Sequence, residues 1–446
     1  MSDQLHNLVH KINDFNNIET PFEGDVLERK QLAEKMTNYL ARLKAGAVLA
    51  IDAPWGEGKT WFGRHWNSYL QEQQYRTIYI DAFENDYVED PFLLIATEIS
   101  QLIKQHQSIS QDFIEASASV MKAILPLATT SLLNLIAVMT IGKIGLSENI
   151  KEVIDNLKEN SIEGIDEWIQ TKFDNYESEK QSVKCFTDEL EKFATSQEKP
   201  IVIFIDELDR CRPDFAVKLI ERIKHFFNVE NVIFILLINR EQLHHAIKGV
   251  YGANTDAANY LGKFINFFFS LPTLEYNHSE HSHTYQFILK EVSKYNDISI
   301  HEGLFYHFAI AFNLSLRDIQ KVLSLYVFSN RRKDNDFSDI FVIYASCLKV
   351  RYIDFFNTLK TKDKAPESLM ERLWLGQQNL QDNNYRNIFT TLIAWHRYIE
   401  SPRTYTDKQQ LLNSHPNLSV LLDYYSSSEV KSLFLKAANS IDISIN

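Results

Sequence analysis

Short apolar runs flanked by polar residues recur along the chain and predict the strands of a parallel sheet. These runs are rich in β-branched and aromatic residues, as strands buried on both faces of such a sheet are. They lie at Ala47 to Asp52, Thr77 to Asp81, Ile201 to Glu207, Val232 to Ile238 and Asn266 to Leu271. Helical patterns separate the runs, so we expect an α/β fold with helices covering both faces of the parallel sheet.

The helical patterns also predict how the chain is divided into domains. One opens at Asp25 and runs to about Leu43, and another begins at Asp90-Pro91, an N-cap followed by proline at the first helical position, and runs through Leu102. From residue 285 the chain is largely helical and rich in aromatics. We therefore expect an N-terminal helix with the first half of the sheet domain in 1–104, a helical insertion in 105–180, the second half in 181–284, and a helical lid and C-terminal domain in 285–446.

The segment that joins the first predicted strand to the next helix has the composition of a phosphate-binding loop. Small and glycine residues allow successive backbone N–H groups to curl around a phosphate, Lys59 can reach the β- and γ-phosphates, and the hydroxyl of Thr60 can bind Mg²⁺. Ala53 stands where the usual pattern has glycine, and it is small enough for the turn. The predicted nucleotide-binding residues are Ala53, Pro54, Trp55, Gly56, Glu57, Gly58, Lys59, Thr60 and Trp61.

Two carboxylates end the third apolar run. Asp206 would emerge at the carboxyl end of a central strand, where open α/β sheets bind ligands, and could hold the Mg²⁺ shell opposite Thr60. Glu207 follows it and is suited to act as the general base that polarises an attacking water. An apolar strand that ends in acids is otherwise often only a strand with a solvated end. Downstream of a phosphate loop, the pair predicts the second half of a site for ATP and Mg²⁺.

Composition narrows the classes of protein that fit. The chain has 446 residues, 45% of them hydrophobic, which is enough for two or three structural units with ample core. A net charge of −13 argues against a protein that coats nucleic acid. Three dispersed cysteines lack metal-ligand spacing and suggest a reducing compartment. The first residues lack a secretory leader pattern, so we expect a cytoplasmic protein.

Taken together, the motifs resemble the KAP-type P-loop NTPases. The most specific block is Phe204 to Pro213, an Asp-acid-Leu-Asp-Arg-Cys string after a buried strand. The other blocks that carry the resemblance are Ala53 to Thr60, Ile80 to Phe83 with Asp90 to Phe92, Asn259 to Ile265 and, more weakly, Ser315 to Lys321. Together the blocks cover roughly residues 25–321 and leave the C-terminal tail without a counterpart.

The resemblance implies further roles. It places the chain in the class of ATPases with an extra strand between the two strands that carry the phosphate site. Asn239 would be the polar sensor of the γ-phosphate or the attacking water, although relatives commonly carry an acid there. An amide can still orient a water by hydrogen bonding. Arg317 would be the lid arginine that contacts the nucleotide, and the helix that begins at Asp25 would lie near the adenine.

Three arginines are candidates for a finger that reaches a neighbouring subunit's site: Arg210, Arg222 and Arg240. The alternative is a local role. For Arg210 we favour pairing with Asp206 or Asp209 within its own chain.

The predicted insertion contains an uncharged stretch, 124–142, that is long enough to cross a bilayer. Members of the family often carry membrane segments at this point. A single span would separate the two halves of one nucleotide site, however, and several polar residues interrupt the stretch. We favour a buried or partner-binding helix, with a re-entrant or interfacial membrane segment as the alternative.

These features predict an ATP-binding and ATP-hydrolysing switch or motor in which Glu207, Lys59, Asn239 and Arg317 form the catalytic set. The resemblance implies a bacterial setting, with anti-phage defence, an effector encoded nearby and self-association as hypotheses. Two alternatives stay open: a scaffold or sensor that holds ATP without turnover, and a membrane-associated ATPase that tethers partners through 124–142.

Overall fold

In the computed structural model, the chain divides into two compact units. The first comprises Met1–Pro54 and Lys59–Leu271, and the second comprises Trp55–Gly58 and Pro272–Asn446. The structure describes residues 18–88, 90–106, 183–226, 229–273, 282–295, 301–329, 336–361, 365–378, 383–400, 405–414, 418–419, 421–422 and 427–442. The predicted insertion core and its stretch 124–142 lie outside these residues.

A parallel sheet forms the centre of the first unit. Its strands, within the described residues, are β1 Ala47–Asp52, β2 Thr77–Asp81, β3 Ile201–Asp206, β4 Val232–Ile238 and β5 Phe267–Ser270. Their order across the sheet is β2-β3-β4-β1-β5, and all neighbouring pairs are parallel. β4 therefore separates β1 from β3, as the sequence analysis predicted.

Helices cover both faces of this sheet. They are α1 Arg29–Leu40, α2 Lys59–Glu72, α3 Pro91–His106, α4 at 183–195, α5 Pro213–Ile223, α6 Arg240–Tyr251 and α7 Ala257–Leu261. Alternate residues of β3 point to opposite faces, so that Ile203 packs with α3 to α6 and Phe204 packs with α1 and α2. The predicted α/β class with helices on both faces is confirmed.

Three predicted helix boundaries differ from the structure: both ends of the first helix, and the end of the second helix, which runs to His106 and not to Leu102. The periodicity suggested a start at Asp25 and an end near Leu43, but α1 spans Arg29–Leu40. Glu28 has a left-handed φ of 53°, so it cannot continue a helix backwards. The carboxylate of Asp25 accepts hydrogen bonds from the N–H groups of Leu27 (3.1 Å) and Lys30 (2.8 Å), which turns the chain into the helix. At the second site the predicted cap is present: Asp90 Oδ1 accepts from Phe92 N at 2.8 Å, and α3 follows.

The second unit is helical in its described residues. Its helices are α8 His283–Val292, α9 Glu302–Phe312, α10 Leu316–Phe328, α11 Asp336–Arg351, α12 Ile353–Thr361, α13 Glu367–Gln378, α14 Asn383–Glu400, α15 Tyr405–Ser414 and α16 Ser427–Ile441. Aromatic contacts link them, with Phe308 of α9 lying 5.0 Å from Phe389 of α14 between ring centroids. The aromatic stripes of the sequence thus form core.

A polar pair lies inside that core. His396 of α14 is fully buried, and its Nε2 lies 2.9 Å from the hydroxyl of Tyr344 on α11. Burial lowers the pKa of His396 from its usual 6.5 to about 3. The imidazole is therefore neutral in the folded protein above about pH 3, whereas below about pH 6.5 the unfolded chain binds a proton at this residue.

The buried imidazole should make the second unit less stable in mild acid. Because its pKa is depressed in the folded state, the unfolded chain binds the extra proton, and stability is lost as the pH falls from about 6.5 towards about 3. Linkage gives a loss of about 2 kcal/mol of unfolding free energy between pH 7 and pH 5. Urea unfolding at both pH values would measure it. The loss should disappear in His396→Phe and persist in His245→Gln, which changes an exposed histidine; an equal loss in wild type and His396→Phe contradicts the assignment.

Candidate functional site

The predicted phosphate-binding loop connects the carboxyl end of β1 to the first residue of α2. Gly56 and Gly58 have φ values of 88° and 75°, in the left-handed region that favours glycine. The N–H of Ala53 donates to the carbonyl of Ile238 at 3.1 Å, which fixes the start of the loop beside the end of β4. A loop of this shape at a helix N-terminus presents N–H groups to an anion.

Residues 55–58 of the loop belong to the second unit, and there they contact the start of α10. The N–H of Arg317 donates to the carbonyl of Gly56 at 3.2 Å, and Arg317 is exposed. A Cβ built on Gly56 would lie 2.5 Å from Ser315 Oγ. Ser315 and Asp318 form a reciprocal capping box at this helix start. Trp55 is exposed, whereas Glu57 is buried.

The side chain of Lys59 folds back over its own loop. Its Nζ donates to the carbonyl of Ala53 at 2.8 Å and to that of Pro54 at 3.4 Å. Burial lowers the pKa of this ammonium, while the carboxylates of Asp209, Asp206 and Glu207 act in the opposite direction. Lys59 thus lies in the field of the acids that follow β3, although they are distant in sequence.

Thr60 joins the two halves of the site directly. Its Oγ1 donates to Glu207 Oε1 at 3.1 Å. Asp206 is buried, and burial raises its pKa, against hydrogen bonds from Tyr79, Thr60 and the Glu207 backbone that lower it. Burial and then the neighbouring charge of Asp206 raise the pKa of Glu207. The first unit therefore brings Lys59, Thr60, Asp206 and Glu207 together at the carboxyl ends of β1 and β3.

Arg210 corrects one expectation from the sequence. Local pairing was expected with Asp206 or Asp209, but its Nε forms an ion pair with Glu207 Oε2 at 2.5 Å. Glu207 has a φ of 60° and caps a 3₁₀ turn at Leu208–Arg210, in which Arg210 N donates to the Glu207 carbonyl at 3.0 Å. The turn carries the arginine back over the glutamate, because residues three apart in a helical turn are neighbours.

The other two finger candidates also have local contacts. Arg222 of α5 forms an ion pair with Asp90, at 2.5 Å, and so ties α5 to the start of α3. The guanidinium carbon of Arg240 lies 4.5 Å from the ring centroid of Phe268 on β5. A role for any of the three in a neighbouring subunit stays a prediction.

Asn239 follows β4, between the strands that lead to Lys59 and Asp206. It is buried, and as the N-cap of α6 it accepts a hydrogen bond from Gln242 N at 3.4 Å. Beside it, Asp52 Oδ1 accepts from Arg240 N at 2.9 Å. The position suits a polar sensor, but the role stays a prediction. Trp61, the last residue of the predicted nucleotide-binding stretch, packs against His65 with ring centroids 4.2 Å apart.

One residue of the site has no counterpart in the sequence prediction. The hydroxyl of Tyr79 on β2 donates to Asp206 Oδ2 at 2.8 Å. Tyr79 pairs with Phe204 across β2 and β3, two residues before Asp206 on the same face of the sheet. Only the strand pairing and its register bring the phenol to the carboxylate, and neither can be read from the motif.

The donor set suits Mg²⁺. A threonine hydroxyl and a carboxylate are hard oxygen ligands, and Mg²⁺ typically binds one or two protein groups together with phosphates and waters. Among the described residues there is no group of three or more His, Cys, Asp or Glu side chains that could hold a metal by themselves. A hydroxyl and a carboxylate match the few protein ligands of a Mg²⁺ ion whose other ligands are phosphates and waters.

Sheet order, loop and carboxylates define a P-loop NTPase in which an extra strand separates the two strands of the phosphate site. The particular family follows from the sequence itself. The chain belongs to the KAP family, since the KAP family P-loop domain matches residues 29–334. This match confirms the resemblance drawn from the motifs.

Two solved structures of nucleotide complexes are among those similar to the chain. The Aeropyrum pernix ORC2 protein, in ADPNP-ADP complexes, shares 11% identity over 97% of this chain and 98% of its own, with a TM-score of 0.36. AMPPCP-bound DnaA from Aquifex aeolicus shares 9% identity over 92% and 93%, with a TM-score of 0.30. No curated relative matches the chain.

Membrane insertion was one alternative for the chain. In the ranges that the structure describes, none of the helices combines the length and the apolar character needed to cross a bilayer. The stretch 124–142 lies outside those ranges, so its role stays a hypothesis.

Proposed function

We propose that this KAP family protein is a Mg²⁺-dependent ATPase that works as a molecular switch. The observation that carries the proposal is the hydrogen bond from Thr60 Oγ1 to Glu207 Oε1, at 3.1 Å. It joins the helix that follows the phosphate loop to the carboxylate pair that follows β3. Hydrolysis needs these two elements on one triphosphate.

Each residue has a distinct task in this proposal. Lys59 exchanges the carbonyls of its own loop for the β- and γ-phosphate oxygens, and its positive charge offsets theirs. Thr60 and Asp206 would hold Mg²⁺, which when bound would offset the negative charge of the phosphates. Glu207 accepts the proton of the attacking water, and its raised pKa improves the match to that task at neutral pH.

Glu207 is engaged by two partners in this structure, Thr60 and Arg210. Its two carboxylate oxygens keep lone pairs for a water, and the Thr60 oxygen keeps lone pairs for a metal, so the hydrogen bond between the two residues can persist in the occupied site. The cation of Arg210 acts against the rise in the pKa of Glu207 that burial and Asp206 cause, because a nearby cation favours the charged form.

The family resemblance suggests tasks for Asn239 and Arg317 as well. Asn239, at the end of β4, would orient the attacking water or sense the γ-phosphate through its amide. Arg317, whose N–H contacts the carbonyl of Gly56, would report the γ-phosphate to the helices of the second unit. Nucleotide state would in this way control the helices of the second unit.

Phosphate release tests hydrolysis, and Thr60 provides the variant. With wild type we expect release that depends on both ATP and Mg²⁺. Thr60→Val keeps the shape of the side chain but removes the hydroxyl, and it should raise the Mg²⁺ concentration for half-maximal release by about tenfold, since loss of groups around a metal costs about 10- to 100-fold. Thr195→Val, which changes an exposed threonine of α4, is the matched control.

The same assay separates the rival function. A scaffold or sensor would bind ATP, measured by calorimetry, yet release no phosphate above the metal-free background. That result in the wild type would eliminate the ATPase proposal. A Thr60→Val variant with an unchanged Mg²⁺ requirement would instead refute the metal role of Thr60 alone.

We further propose, from the family resemblance, that the switch acts in the cytoplasm of a bacterium on a protein effector encoded nearby, in defence against phage. Self-association is the second part of this hypothesis. Light scattering with and without ATP would test the assembly. A phage challenge of cells carrying the gene with its neighbours, beside cells lacking it, would test the biological setting, and equal infection of both would refute it.

A further inference from the structure

The ring of Tyr79 packs against two neighbouring side chains close to Asp206, the proposed metal ligand. It stacks on Phe204, its partner across β2 and β3, with ring centroids 5.7 Å apart and planes inclined by 19°. The guanidinium carbon of Arg64, on α2, lies 3.8 Å from the centroid of the same ring. A stacked ring pair with a cation against it leaves the phenol little freedom to rotate, so its hydroxyl has one direction.

The hydroxyl of Tyr79 points to the carboxylate of Asp206. The hydroxyl donates to Oδ2 at 2.8 Å, while Oδ1 accepts the N–H of Glu207 at 2.8 Å. Each carboxylate oxygen has two lone pairs, so both oxygens keep accepting capacity after these bonds. With one donor on each oxygen, the plane of the carboxylate is fixed on both sides.

The helix opposite is shaped to leave room for this arrangement. Gly63 of α2 faces the sheet, and a Cβ built on it would lie 3.0 Å from the hydroxyl oxygen of Tyr79 and 2.1 Å from Leu237 Cδ1. Glycine inside a helix is unfavourable by about 0.5–1 kcal/mol relative to alanine. Gly63 lies where α2 approaches β2 and β4, next to the phenol, and a larger residue would not fit there.

We propose that Tyr79 is a positioning residue of the ATPase: its hydroxyl orients the Asp206 carboxylate for Mg²⁺. This inference rests on the proposed function, since it assigns Asp206 to the metal. Hydrogen bonds from outside a metal's ligand set orient its carboxylate ligands and raise affinity. Tyr79 does not touch the nucleotide or the metal in this role and acts only through Asp206.

Tyr79→Phe tests the role, because it keeps the ring on Phe204 and under Arg64 and removes only the hydroxyl. Mn²⁺ serves as the probe, since its unbound fraction is read by electron paramagnetic resonance. The full chain is titrated with Mn²⁺ in the presence of AMPPNP. We expect Mn²⁺ affinity to fall about tenfold or more in Tyr79→Phe, while the affinity for AMPPNP without metal stays that of the wild type.

Two further variants make the result decisive. Tyr75→Phe alters another buried tyrosine of the same unit and should leave Mn²⁺ affinity unchanged. Asp206→Asn should lower it at least as much as Tyr79→Phe. A fall in Asp206→Asn without one in Tyr79→Phe overturns the role of Tyr79 and leaves the metal assignment standing. Unchanged affinity in Asp206→Asn overturns both.

The titration does not depend on turnover. If the wild type binds Mn²⁺ in the Tyr79-dependent way but releases no phosphate, the positioning role holds and the ATPase proposal fails. A metal-free AMPPNP affinity that falls in parallel in Tyr79→Phe would show a general distortion of the site and would count against the inference.

Discussion

Lys59→Met should weaken ATP binding by about 10- to 100-fold, because a hydrogen bond to a charged group contributes about 1.5–3 kcal/mol. Hydrolysis should fall further, by about 10²–10³-fold, since the ammonium also stabilises charge that develops in the transition state. Methionine retains the length of the side chain without its charge. Isothermal calorimetry and a phosphate-release assay would measure the two effects.

The variant should fold. Burial lowers the pKa of Lys59, so the charged ammonium is held in the folded protein against its desolvation, and an uncharged side chain removes that cost. Lys218→Met is the matched control, because Lys218 is an exposed lysine on α5 of the same unit. Wild-type ATP affinity in Lys59→Met would refute the assignment of the loop as a phosphate site.

Glu207→Gln should separate binding from hydrolysis. The amide oxygen can still accept the hydrogen bond from Thr60, but glutamine cannot take a proton from water, so phosphate release should fall about 10²–10⁴-fold while ATP stays bound. Glutamine also loses the ion pair with Arg210. Single-turnover phosphate release together with nucleotide affinity would measure both properties.

Two comparisons sharpen this second result. Glu230→Gln, an exposed glutamate of the same unit, controls for loss of one negative charge. Arg210→Gln removes the same ion pair but keeps the glutamate, so it should retain most of the activity that Glu207→Gln loses. Equal phosphate release by Glu207→Gln and wild type would exclude Glu207 as the general base.

β3 and β4 were predictable from the sequence because both strands are buried along their whole length. Such strands cannot carry polar residues, so β3 and β4 appear as unbroken apolar runs between polar residues. The first residue of α1 could not be predicted from periodicity. Its start depends on the left-handed backbone of Glu28 and the carboxylate of Asp25, and both act locally without altering the apolar pattern.

Some residues of the candidate site could be predicted from the sequence, and others could not. Its motif residues could be predicted because their chemistry is tied to spacing along the chain, as in the step from Gly58 to Lys59 and Thr60. Tyr79 and the partner of Arg210 could not, because both depend on where side chains arrive after strands pair and turns close. Tyr79 meets Asp206 only through the register of β2 on β3.

The strand order has a consequence for synthesis on the ribosome. β1 lies between β4 and β5, with Ala47 beside Ile233 and Leu49 beside Phe267. A nascent chain that has emerged only through β3 therefore exposes both edges of β1, and such unpaired edges are prone to aggregate. β1 therefore gains both of its neighbours in the sheet only after β4 and β5 have left the exit tunnel.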